Sequence, residues 1–171
     1  PSNANDVMCL ALTFAKNRGV SIVAASGNNR AALNFPANQP DVLAGGGSEL
    51  DSEGNTGFWT TGDDELGERV TGGVTCPQVG VGTPEQGSNC SDSADIAAGR
   101  YQFLAPALDV LSTFFLGHTY HPALHCGEFY DPDPNSSYLE GGYGTCTGTS
   151  MAAPVVSGVV GLMRSANPLL Y

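Results

Sequence analysis

The hydrophobic positions of this chain fall into a few short blocks separated by long polar, glycine-rich stretches. In NDVMCLALTFAKNRG, Val7, Leu10, Ala11 and Phe14 recur at helical spacing, with Asn5 or Asp6 placed to cap and Gly19 to stop the helix. VSIVAAS follows at once, apolar at consecutive positions and β-branched, as in a strand buried on both faces. DVLAGG is a second such run and LDVLST a third. The last block opens near Thr149 and runs to about Ser165, where Ala152, Val155, Val156, Val159, Val160 and Met163 make a helix apolar on nearly every side. Gly158 and Gly161 are expected to admit close neighbours. Pro154 is expected in the first turn, where a missing N–H is tolerated.

Helices joined to apolar strands predict an α/β fold, a mostly parallel sheet flanked by helices. At 171 residues the chain has the length of one domain. Residues 49–98, rich in Gly, Ser, Thr and acids, and 115–145, with aromatics, prolines and all three histidines, read as surface insertions on that scaffold. Six basic against 17 acidic residues give a net charge of −11, a field that repels phosphate backbones and argues against nucleic acid as a partner. No apolar run reaches the length of a membrane span. PSNANDVM has neither an initiating Met nor a basic start, so the chain is expected to begin inside a longer protein.

Cys9, Cys76, Cys90, Cys126 and Cys146 contain no C-x-x-C pair, which disfavours zinc. Cys76 with Cys90, and Cys126 with Cys146, each bracket a loop that a disulfide could staple in a secreted protein, with Cys9 a buried thiol. The alternative is five unpaired thiols in a reducing compartment. His118, His121 and His125 lie in a proline-containing stretch without helical pattern, and read as incidental loop residues rather than metal ligands. ELDSEGN spaces Glu49, Asp51 and Glu53 like the start of a calcium loop, but Thr60 stands where the closing acid is needed, so a solvated acidic loop is the better reading. Asn89-Cys90-Ser91 and Asn135-Ser136-Ser137 fit the glycosylation acceptor pattern.

Candidate chemistry centres on Ser150, in GTCTGTSMAAPVVSGVVGLM. A serine hydroxyl needs a base to take its proton and donors for the oxyanion that follows. At the opening of a buried helix the Ser150 N–H lacks an intrahelical partner and has the positive dipole end behind it, and Gly148 leaves room for a substrate backbone. A G-x-S string alone would be no more than an ordinary helix start. The fuller string GTSMAAP resembles the serine motif of the subtilisin-like serine proteases, the subtilases. GVSIVAASGNN resembles that family's strand leading to its oxyanion asparagine, NFPANQPDVLAGGGS the stretch after it, and FLAPALDVLST the segment before the serine loop.

The resemblance implies a subtilisin-like fold, incomplete in this chain, and a serine endopeptidase acting on proteins or peptides. Ser150 would be the nucleophile and Asn28 the oxyanion donor. Ala24, Ala25, Ser26 and Gly27, with Asn34 near the base and Gly148 and Thr149 beside the serine, would face the substrate. These small uncharged residues suit an uncharged, medium or large side chain. The family's catalytic Asp and His precede the oxyanion asparagine. Here that region holds Asp6 as its only acid and no histidine, so the triad is incomplete and the fragment alone is expected to be inactive. No cofactor is required for the chemistry, structural calcium is compatible with the family, and a propeptide could accompany the parent protein. Val155 stands where the family often has histidine, and Ala107 where glycine is common. An α/β-hydrolase fails because position 152 is Ala and no acid or histidine follows Ser150. A sedolisin-type peptidase would carry aspartate, not Asn28. A non-catalytic subtilase-like binding domain is the remaining alternative.

Overall fold

The computed structural model describes residues 7–50, 56–58, 87–113, 126–128 and 143–170. Helix α1 (Val7–Asn17) ends as Gly19 requires. Gly19 takes φ 72°, its N–H reaches Lys16 O at 2.8 Å, and Val20 N–H reaches Ala15 O at 3.1 Å, the two bonds of a Schellman cap. The capping candidates Asn5 and Asp6 lie outside the described residues. The apolar face of α1 is not covered: Val7, Leu10 and Phe14 are exposed, and Arg18 lies over the Phe14 ring 4.5 Å from its centroid.

Strand β1 (Ile22–Ala25) pairs in parallel with β2 (Val42–Leu50), placing Ala24 opposite Ala44. The end of β2 turns back on β3 (Thr56–Phe58) as an antiparallel pair. The short helix α2 (Ser93–Ala97), closed by a capping box between Asp92 and Asp95, leads to β4 (Gln102–Pro106), which lies parallel to β2 on its other side. A second, antiparallel sheet holds β5 (Val110–Thr113), β6 (Cys126–Glu128) and β7 (Tyr143–Cys146), in the order β5-β7-β6. The expected parallel sheet is therefore β1-β2-β4. LDVLST is not its third strand: β5 belongs to the antiparallel sheet, and Leu111, Ser112 and Thr113 are exposed.

Helix α3 (Thr149–Ala166) crosses one face of the parallel sheet, where Ala105, Ala107, Ala152 and Val156 form a core with Val23 and Val160 packed on it. The opposite face buries Leu33, Ala37 and Ala44 with Ala24 against them. Strand alternation accounts for the division, since Val23 and Ala24 point to opposite faces. The helix approaches closely not through Gly158 or Gly161, which have nothing within 4 Å, but through Gly45 of β2: a Cβ there would stand 2.8 Å from Ala153 Cα. Pro154 is the sixth residue of α3, in its second turn, and leaves the Ser150 carbonyl without its i+4 donor.

The surface insertion expected over 49–98 does not hold throughout. Asn29 bridges Gly87 and Ala32 bridges Cys90 in parallel, and Ser88, Asn89, Cys90 and Ser91 are all buried. A polar segment is buried there because its backbone and side chains are hydrogen-bonded, not because it is apolar.

Gly45→Ala is expected to destabilise the protein by about 1–3 kcal/mol, because the atom in the way is backbone and cannot rotate aside. Urea denaturation of the full-length protein, against wild type, measures it.

Candidate active site

The site forms where the turn after β1 meets the N-terminus of α3. Gly148 precedes the helix with φ 144°, a conformation open to glycine alone, and its N–H is held by Ala107 O at 2.8 Å. A Cβ on Gly148 would lie 3.1 Å from Asn28 Nδ2. The group that glycine admits here is thus the Asn28 carboxamide. Asn28 Oδ1 accepts from Thr149 N at 2.9 Å and from Thr149 Oγ1 at 2.8 Å. A backbone N–H can only donate, so the atom facing it must be the oxygen, and the amide orientation is fixed. Thr149 Oγ1 in turn accepts the Gly27 N–H at 3.2 Å. The Nδ2 end is left beside Gly148, at the mouth of the helix.

Ser150 is exposed at the second position of α3, in the first turn, where backbone N–H groups have no intrahelical acceptor. A serine hydroxyl, a helix N-terminus and an oriented carboxamide therefore converge at one point. Such a group can stabilise negative charge on an oxygen; a base has still to be supplied. His118, His121, His125 and Asp6 lie outside the described residues.

The structure brings together only part of the substrate-facing set. Ala24 packs into the core with Leu33, Ala37 and Ala44. Ser26 is fully buried, its hydroxyl donating to Asn89 O at 3.0 Å. Thr149 is 1% exposed, its hydroxyl spent on Asn28 and Gly27. These three side chains support the turn from beneath, as strand alternation and their hydrogen bonds require. Ala25 and Gly27 are half-buried and Asn34 is exposed. Gly27 and Asn34 are in close contact, since a Cβ on Gly27 would meet Asn34 Nδ2 at 2.5 Å.

Asn89 is the residue that the sequence pattern missed. It is fully buried, so the Asn89-Cys90-Ser91 acceptor reading is wrong for the folded chain. Its Nδ2 donates to Ala32 O at 2.8 Å, and a glycan would have to grow from that nitrogen. Asn135 lies outside the described residues, as does most of the acidic stretch after Glu49. Glu49 itself belongs to β2, opposite Gly57. No cluster of three or more His, Cys, Asp or Glu stands ready for a metal among the described residues.

A profile of the subtilase family, Peptidase S8, matches residues 1–171. The chain belongs to the subtilase family. A 35-residue stretch is 60% identical to subtilisin-like protease SBT3.9 of Arabidopsis thaliana, covering 20% of this chain and 5% of that protein. Among solved structures, sphericase superposes with a TM-score of 0.53 at 24% identity over 97% of this chain and 40% of its own, a likeness of fold. The prenylagaramide maturation protease PagA gives 0.48 at 25% identity over 92% of this chain and 36% of its own. This subtilase chain thus spans about two fifths of the length of those solved relatives. No described helix is long and apolar enough to cross a membrane.

Two outcomes test the geometry. Thr149→Val is expected to cost about 1–3 kcal/mol, because it strands the Gly27 N–H and frees one bond to Asn28; Thr149→Ser should keep most of that stability, read by thermal unfolding. When the full-length protein is secreted from a glycosylating host, peptide mass spectrometry should find Asn89 unmodified in the folded fraction.

Proposed function

We propose that this chain carries the nucleophile and the oxyanion site of a secreted serine endopeptidase that hydrolyses proteins or peptides. The observation that carries this reading is the anchoring of Asn28 through Oδ1 to Thr149, which leaves its Nδ2 facing the helix mouth next to Ser150. Ser150 Oγ attacks the peptide carbonyl carbon while a histidine takes the hydroxyl proton. The carbonyl oxygen becomes the oxyanion and accepts from Asn28 Nδ2 and the Ser150 N–H. Collapse breaks the C–N bond, the histidine returns the proton to the leaving amine, and water hydrolyses the acyl-enzyme by the same steps. The histidine and its aspartate come from the remainder of the domain, outside this chain, and the chain alone is inactive. Gly27 and Asn34 border the pocket for an uncharged side chain before the cleaved bond. A disulfide between Cys126 and Cys146, directly opposite each other on β6 and β7, fits a secreted protein.

The test is fluorophosphonate labelling of the full-length protein, with the modified peptide read by mass spectrometry. Label is expected on Ser150 and absent from Ser150→Ala. Asn28→Ala is expected to lower kcat by roughly 10²–10³-fold, the magnitude known for removing an oxyanion asparagine in another member of this family. A well-folded protein that takes no label would instead be a binding domain.

A further inference from the structure

We propose that Asn89 is a positioning residue for the oxyanion site, acting through the backbone on either side of Asn28. This rests on the reading of Asn28 given above. Asn89 is 0% exposed and comes from a polar stretch 61 positions after Asn28 (89 − 28). Its backbone N–H donates to Gly27 O at 2.8 Å. Its Oδ1 accepts from Asn29 N at 2.8 Å and from Ala31 N at 3.1 Å, and its Nδ2 donates to Ala32 O at 2.8 Å. Both peptide neighbours of Asn28 are therefore held by one residue. Gly87 completes the clamp, donating to Asn28 O at 3.0 Å and accepting from Arg30 N at 3.1 Å.

Thr149 fixes only the tip of the Asn28 side chain, whereas the Asn89 clamp fixes where that side chain begins. Asn89 is itself held from the sheet: Gln102 Nε2 on β4 donates to Asn89 O at 2.7 Å while Gln102 Oε1 accepts from Ser91 N at 2.8 Å. A carboxamide is the group this place requires, with one oxygen for two N–H donors and a nitrogen for a carbonyl. Aspartate would set a carboxylate against Ala32 O, and serine is too short to reach all three. Because a misplacement of about 1 Å at a reacting group can cost on the order of 10²-fold in rate, loosening this clamp should be felt in turnover.

The experiment is a double-mutant cycle in the full-length protein with Asn89→Ala, Asn28→Ala and both together. It uses a chromogenic peptide amide with an uncharged residue before the cleaved bond. Turnover is counted per site titrated to completion with fluorophosphonate, so a lowered folded fraction does not enter kcat. Asn89→Ala is expected to reduce kcat by about 10–100-fold with KM within about threefold, and the loss should disappear in the Asn28→Ala background. Unchanged kcat, or an equal loss in both backgrounds, overturns the proposal. Should Asn89→Ala yield no titratable protein, the cycle is run with Asn89→Ser, which is too short to keep the bonds to Asn29 and Ala31, and the same outcomes decide. If Asn28→Ala alone leaves kcat unaltered, the oxyanion reading fails and the positioning role falls with it. A large Asn28 effect beside a silent Asn89 overturns the positioning role alone.

Discussion

Asn28 and Thr149 lie 121 positions apart and are joined through one carboxamide oxygen, which accepts both the N–H and the hydroxyl of the threonine. That junction ties the turn after a parallel strand to the first turn of the helix packed across the sheet. It also decides which end of the amide is left to face a ligand. The requirements around it follow in order. Gly148 must be glycine for its φ of 144° and for the room that Asn28 takes, and Thr149 must carry a hydroxyl to join Gly27 to Asn28. The alanines of the core, Ala105, Ala107 and Ala152, seat that end of the helix against the sheet.

The helix is brought to this depth by the centre of the sheet. β2 is the strand shared by β1 and β4, and its Gly45 removes the side chain that would hold Ala153 away. Core packing tolerates little excess volume, so a position that lacks a Cβ sets a contact distance as firmly as a large residue would. The same helix presents Val159, Leu162 and Met163 outward, and α1 buries none of its residues fully. Cohesion among the described elements is thus concentrated between α3 and the β1-β2-β4 sheet, which is where the site stands.

Much of this was legible in the sequence, for reasons that can be named. β1, β2 and α3 form where the apolar runs lie, although β1 is only half-buried and α3 exposes Val159, Leu162 and Met163, and the serine and asparagine sit at the ends of those runs inside long, distinctive strings. The fold class therefore follows from local pattern together with the family strings. What could not be read was burial achieved without hydrophobicity. Ser88-Asn89-Cys90-Ser91 has the composition of a loop and even the form of a glycosylation acceptor, yet it is a buried strand-like segment satisfied by polar bonds. LDVLST, with the opposite composition, is largely exposed in an antiparallel sheet. Apolar pattern reports transfer from water, and it is silent about backbone groups paired across long sequence separations.

The pocket residues illustrate the same limit at finer scale. The resemblance places Ala24, Ser26 and Thr149 towards substrate, whereas direction along a strand alternates between faces and at a helix start rotates by about 100° per residue. Ser26 and Thr149 instead spend their hydroxyls on Asn89 O and on Asn28 with Gly27. Their burial has a physical consequence: a carboxamide whose partners are themselves buried and hydrogen-bonded has little freedom to reorganise. Small polar residues clustered behind Asn28 are for that reason its mounting.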